Sequence, residues 1–544
     1  MLVQCIASTT HNKGSLKAPG CQTDARMFDS GYTWELIVLL SLPLLWLYKG
    51  TKRKKGVYQP LPGPKGWPLF GNILGIDTNK MPHQCTEWSK EYGPIYQFAV
   101  PGKRVAVLTS LHWMQKVFDS NFVRSHTNDR TVNSSRFFYK DRKHIGGADL
   151  SEQILHLRMI LHRDVHLYLT GKSEFESSFS EVLQRRNNSI QDNNGNTFNP
   201  HELIKKNLSN VLYTLLIGKT LPESNPDHGM MWDLCDWLYR LIDPNVDSTL
   251  RMFPFLRFLP GKCGHIYRKS IEARDKVFRI IFDEHKATYQ HGTIRGLLDV
   301  CFKTQMDEKE RTGCTWLTDD YIKGLMSDIL LAGMTELLKA HRLYLLLMIQ
   351  HPECQKKAQN EIDTVLGMNA PALEDFDKLP YLQATIMECL RYTSQTPLAI
   401  PHKCNTDVVI DGYLIKKDTV IIPNLWGIHH DDNTWGDPWN YRPERFLDEN
   451  GKLIPEDHSL YKAFIPFSIG PRRCPGEKFS RMRLFLCLTT LLQGFTFLPP
   501  EDEQLPSPDP RLYTTRYPMY EPQFECRAIP RQILPTNRHA QSCK

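Results

Sequence analysis

Residues Phe467 to Gly476 read Phe-Ser-Ile-Gly-Pro-Arg-Arg-Cys-Pro-Gly, which sets one cysteine between two glycines and next to two arginines. Cys474 lies just ahead of a segment, Glu477–Gln493, whose apolar spacing predicts a helix. Amide donors at a helix start favour a thiolate. Gly470 and Gly476 allow unusual φ values and a close approach of backbone to a flat ligand. Arg472 offers a fixed cation to a carboxylate. A thiolate ligand on haem iron pushes electron density that favours O–O cleavage. A lone cysteine is more often a buried structural residue. The spacing FxxGxRxCxG has five fixed positions, however, and chance would produce it about once in several thousand chains of this length.

The elements that position this loop are mostly helical. Apolar residues recur at helical spacing in Ile154–Leu169, Asp319–Ile349 and Pro352–Leu366. Short strand-like runs occur at Ile95–Ala99, Arg104–Leu108, Val408–Ile410 and Val420–Pro423, and Gln191–Asn199 reads as a polar loop. The pattern predicts one large, mainly α domain with small β-sheets. Glu388 and Arg391 fall on one face of a helix. With Arg445 they form a candidate Glu–Arg–Arg network, structural rather than catalytic. His162 and His166 are four apart but lack a completing carboxylate or cysteine, so they read as a helix surface. His429-His430-Asp431-Asp432 reads as a loop.

Lys+Arg number 67 and Asp+Glu 60 in 544 residues, an excess of +7 too thin to argue for nucleic acid, and no nucleic-acid-binding motif supports it. The 14 cysteines form no CxxC pair, so neither a disulfide framework nor a four-cysteine zinc site is expected. Tyr32–Tyr48 is mostly apolar and would span about 26 Å as a helix. Trp34, Trp46 and Tyr48 lie near its ends, and Lys49, Lys52, Arg53, Lys54 and Lys55 follow it. That order predicts a single uncleaved transmembrane anchor (32–48), with residues 1–31 lumenal and the remainder cytosolic. A basic and proline-rich hinge (49–72) comes next, then a catalytic domain (73–527) and a loose tail (528–544).

The cysteine segment resembles the haem-binding loop of the cytochrome P-450 superfamily. Three further motifs agree: Glu388-Cys-Leu-Arg391 is similar to the family's ExxR, Tyr441-Arg-Pro-Glu-Arg-Phe446 to its PERF segment, and Leu61–Asn72 to the proline-rich hinge of microsomal members. The flavour is that of the animal drug- and steroid-metabolising clan. The resemblance implies the cytochrome P-450 fold with one N-terminal transmembrane helix in the endoplasmic reticulum. It also implies haem b (iron protoporphyrin IX) with a Cys474 thiolate axial ligand, surrounded by Phe467, Gly470, Arg472 and Gly476. Arg158 stands where the family's WxxxR helix supplies a propionate cation, although Ile154 replaces the Trp. His402 stands where members carry His or Arg for the same task. The implied activity is a monooxygenase that inserts one atom of O2 into a lipophilic substrate. Electrons would come from NADPH through a flavoprotein reductase, with cytochrome b5 as an optional second donor.

One stretch departs from the family. Where the pattern is Ala-Gly-x-(Asp/Glu)-Thr, this chain has Ala332-Gly333-Met334-Thr335-Glu336. Gly333, the oxygen-site glycine, is present, but acid and alcohol are exchanged. One residue along a helix turns a side chain by about 100°, so proton delivery must be arranged differently. Three readings stay open: a working monooxygenase in which Glu336 relays protons, an O2-independent isomerase or lyase on a peroxide substrate, and a low-turnover haem-binding protein. An ion pair of Glu336 with Lys339 on the helix surface would turn Glu336 away from haem. Arg472, Arg473, Lys478, Arg481, Arg483 and Arg163 are expected to form a basic face for an acidic reductase. Met252–Pro260 resembles a loop that dips into the bilayer, or else packs into the core.

Overall fold

The computed structural model describes residues 58–118, 129–130, 134–139, 142–170, 173–222, 224–514 and 521–532. The expected lumenal segment and anchor lie outside these residues. No helix among the described residues is long and apolar enough to cross a membrane. The chain divides into two units after Gln59, and the second runs from Pro60 onward.

The architecture is mainly helical, as expected, around one long helix, Asp319–Gln350. Asp319 and Asp320 occupy its first turn, where carboxylates favour the positive end of the helix dipole. From Leu337 to Ile349 every residue is buried, so this part is a core helix rather than an amphipathic surface one. Pro352 cannot continue the helix and instead opens the next one, Pro352–Val365. Helices Pro200–Ile217, Asp227–Ile242, Pro380–Thr393 and Glu477–Gly494 pack against the long helix. They build the larger hydrophobic cluster with it.

A second cluster surrounds a five-stranded sheet. Ile95–Val100 pairs antiparallel with Lys103–Leu108, which runs parallel to Val420–Pro423. Val420–Pro423 pairs antiparallel with His402–Lys403, and that strand with Asp129–Arg130. The β-branched residues of Val105, Val107, Ile421 and Ile422 suit the pleated, buried surface. The register sets Arg130 opposite His402.

Two expectations change. The presumed tail from 528 begins inside a strand, Arg527–Pro530, which pairs with Phe495–Leu498. Arg531 then reaches Asp363 at 2.6 Å, so the folded unit extends past the expected end. The presumed loop at 429–432 is not solvated. His429 closes the short helix Leu425–His429, both His429 and His430 are buried, and Asp431 caps Asp432–Trp435 through the Thr434 N–H.

Candidate active site

The cysteine loop is closed by its own backbone. The Cys474 N–H donates to the Phe467 carbonyl at 2.9 Å, and the Arg473 N–H to Gly470 at 3.0 Å. Gly470 has φ +79°, and a Cβ there would lie 2.3 Å from the carbonyl oxygen of Phe118. The end of helix Leu111–Phe118 thus by itself demands glycine here. Gly476 has φ −93°, which any residue adopts, and a Cβ there meets nothing closer than Cys474 Sγ at 3.9 Å. Burial pushes the Cys474 thiol up to about 11. The Gly476 N–H and Arg158 pull it down, while Glu477 and Glu336 push it further up. The expected stabilisation by helix amides therefore amounts to one donor, and burial outweighs it. A coordinating metal ion is what removes a proton from such a thiol.

Basic side chains gather around this loop. Arg472 is buried and donates to the carbonyls of Ala148 at 2.9 Å and Ile145 at 3.4 Å. Arg158, on helix Glu152–Thr170, donates to the Arg473 carbonyl at 2.6 Å. Ile154, in place of the family Trp, is a core residue. His402 is buried with its ring 4.5 Å from that of Phe118, the residue that also backs Gly470. Arg130, not anticipated as a site residue, is buried beside it and donates to the Ile400 carbonyl at 2.6 Å. No sequence pattern marks Arg130; only strand pairing brings it to His402. These residues fit haem: a half-buried thiol just ahead of a helix, with the Arg130, Arg158 and Arg472 guanidiniums and the His402 ring as donors for two propionates.

The long helix supplies a polar cluster. Gly333 does not face open space, because a Cβ there would sit 3.0 Å from the Leu212 side chain. The exposed small residue is its neighbour Ala332, between buried Leu330 and Met334. Thr335 is buried and donates to the Leu331 carbonyl at 2.6 Å. Glu336 does pair with Lys339, at 3.0 Å, yet Lys339 is buried, so the pair is not a solvated surface one. Glu336 also receives the Tyr239 hydroxyl at 2.8 Å and that of Thr396 at 3.4 Å. The Glu336 charge is the smallest of the influences that raise the Cys474 thiol. Tyr239 was not anticipated from sequence; it arrives from helix Asp227–Ile242.

The glutamate–arginine network forms as expected. Glu388 and Arg391 are fully buried, with two contacts of 2.7 and 2.8 Å, and Arg445 reaches Glu388 at 3.0 Å. Arg391 also donates to the carbonyls of His429 and Pro438. The His429 ring accepts the Ile465 N–H at 3.2 Å, just before the cysteine loop. The network thus holds the loop's entry.

The expected basic face is smaller than six residues. Arg472 and Arg483 are buried, Arg472 against the carbonyls of Ile145 and Ala148 and Arg483 because helix Glu477–Gly494 turns it inward. Arg158, Arg163, Arg473, Lys478 and Arg481 line one cleft of about 1700 Å³ that includes Cys474. Met252, Phe253, Phe255, Phe258 and Leu259 are exposed, so this segment is not core packing.

Fold and site together define a haem-thiolate oxidoreductase. A sequence model of the cytochrome P450 family matches residues 61–521, and the chain belongs to that family, whose members are haem monooxygenases with a cysteine thiolate ligand. It is similar to the steroid 17-alpha-hydroxylase/17,20 lyase of Ictalurus punctatus, with 30% identity over 81% of this chain and 85% of that one. It is also similar to cytochrome P450 2D27 of Mesocricetus auratus (28%, 87% and 94%) and to cytochrome P450 2U1 of Homo sapiens (27%, 88% and 91%). These are microsomal animal members, the type that the sequence motifs resemble.

Proposed function

We propose that the chain is an anchored monooxygenase of the endoplasmic reticulum that inserts one oxygen atom from O2 into a hydrophobic substrate: a steroid, fatty acid or xenobiotic. Electrons come from NADPH through a flavoprotein reductase. The observation that carries this reading is Cys474, half-buried at a helix start, its backbone N–H bonded to the Phe467 carbonyl and its thiol facing the Gly476 amide. When bound, haem supplies dioxygen activation and oxygen-atom transfer. Cys474 would ligate its iron, and Arg130, Arg158, Arg472 and His402 would hold its propionates. Ala332 provides the open wall, and Glu336 and Thr335 hold protons beside it. The cleft lined by Arg163, Arg473 and Lys478 receives the acidic face of the reductase. The exposed apolar segment 252–259 suits contact with a bilayer through which lipophilic substrates arrive. A steroid hydroxylase and xenobiotic-type relatives at similar identity support a broad lipophilic class.

The test is a ligand-induced spectral-shift screen with steroids and fatty acids on the purified, haem-loaded chain, with a CO difference spectrum on the same sample. The expected outcome is a thiolate-type CO band that vanishes in Cys474→Ser, and saturable shifts with at least one lipid class. A chain that stays colourless, or a serine variant that keeps the band, overturns the reading. Turnover of a peroxide substrate without NADPH replaces it with the isomerase or lyase reading.

A further inference from the structure

The exchange of acid and alcohol on the long helix leaves Thr335 and Glu336 about 100° apart around the axis. They do not reach each other directly. A third group joins them. The Tyr239 hydroxyl, from helix Asp227–Ile242, lies 2.7 Å from Thr335 Oγ1 and 2.8 Å from Glu336 Oε1. Thr335 Oγ1 is in turn 2.6 Å from the Leu331 carbonyl. Three short contacts are thus served by two hydroxyl hydrogens. The phenol hydrogen has two acceptors within reach and selects between them by rotation about its own C–O bond, with no heavy atom moving. Glu336 keeps its other partners in either state: the Lys339 ammonium at 3.0 Å and the Thr396 hydroxyl at 3.4 Å. The Lys339 ammonium also lies 5.6 Å from the centre of the Tyr239 ring, a cation–π distance that fixes the phenol against the ion pair.

We propose that Tyr239 is a positioning residue that joins the exchanged Thr335 and Glu336 into one proton-handling unit, with Lys339 as its counter-charge. The inference rests on the reading of Thr335 and Glu336 as the proton-handling pair. It goes beyond that reading by bringing in a residue from a different helix. Here the phenol supplies a connection between the two side chains. Proton delivery needs groups held within hydrogen-bond reach, and among the described residues a carboxylate released from Tyr239 keeps the Lys339 ion pair and a long contact to Thr396.

The experiment uses Tyr239→Phe, Glu336→Gln and the double variant in the haem-loaded full chain. Thermal midpoints of the four proteins form a double-mutant cycle that needs no turnover. A microsomal reductase then drives NADPH oxidation, and the hydrogen peroxide released per NADPH measures misdirected protons. The expected result is a peroxide yield several-fold above the parent in both single variants, with the double variant no worse than Glu336→Gln. The midpoints are expected to be non-additive, the double variant losing little more than the worse single one. If Glu336→Gln leaks peroxide and Tyr239→Phe matches the parent, Tyr239 has no such role while the pair's reading stands. If neither leaks, the proton-handling reading itself fails and takes the inference with it, whatever the midpoints show. Additive midpoints overturn the coupling of Tyr239 to Glu336.

Discussion

Arg483 shows what a single residue type can do against its surroundings. It sits in helix Glu477–Gly494 at 2% exposure, and none of Nε, Nη1 or Nη2 has a hydrogen-bond partner among the described residues. Its guanidinium lies 5.0 Å from the Phe479 ring, and burial pushes its pKa down to about 10. A buried charge without an anion is destabilising, and replacing such groups with apolar ones of similar volume is neutral or stabilising by about 1–4 kcal/mol. Met is flexible enough to fill the same irregular space. Arg483→Met is therefore expected to raise unfolding stability within that range, measured by urea titration of the haem-loaded chain. A loss of stability would show that the guanidinium has a compensating partner. Arg472, nine-tenths buried in the same way, differs because it meets the carbonyls of Ala148 and Ile145.

Between elements, Glu388 carries the largest burden. Its carboxylate receives Arg391 from its own helix, Arg445 from the turn Pro443–Phe446, and the Arg442 N–H. Through the Arg391 bond to the His429 carbonyl, and the Ile465 amide on the His429 ring, the same cluster sets where the cysteine loop begins. The ring accepts at Nε2, so Nδ1 bears the hydrogen and donates to Ser394 Oγ at 3.0 Å. Removing one member of a buried charge network costs about 3–5 kcal/mol. Glu388→Ala is accordingly expected to lose that much stability and most haem incorporation, read from the Soret-to-protein absorbance ratio. Normal incorporation would detach the network from the loop.

Across the whole molecule, buried histidines set a dependence on acid. Burial lowers His341 and His430 from 6.5 to about 3, and His429 is pushed down as well. These rings are neutral in the folded chain and bind protons once unfolded. The unfolded state therefore takes up more protons as pH falls below 6.5, and stability is lost from there down to about pH 3. By pH 5 each ring shifted to about 3 removes about 2 kcal/mol, a large share of the 5–15 kcal/mol typical of a domain. The urea midpoint should fall steadily between pH 7 and pH 5. A flat profile over that interval would mean that these rings are protonated or hydrated in the fold.

The cysteine loop, the Glu388–Arg391 spacing, the Pro443–Phe446 turn and the long helix are local patterns. Each is written within a few residues or one helical period, and sequence alone determined them, along with the family they resemble and the chemistry of a thiolate ligand. Tertiary structure decided which side chains meet. Tyr239 bridges Thr335 and Glu336 across nearly a hundred residues because two helices cross there. Arg130 faces His402 because of a strand register. Arg483 points inward because of how its helix rotates against the core, while Arg473, in the loop before that helix, is exposed. Gly470 answers to the Phe118 carbonyl, a contact that no spacing rule contains. Periodicity fixes which residues share a face, but helix crossing and sheet register fix what that face touches, and those follow from packing the whole chain at once.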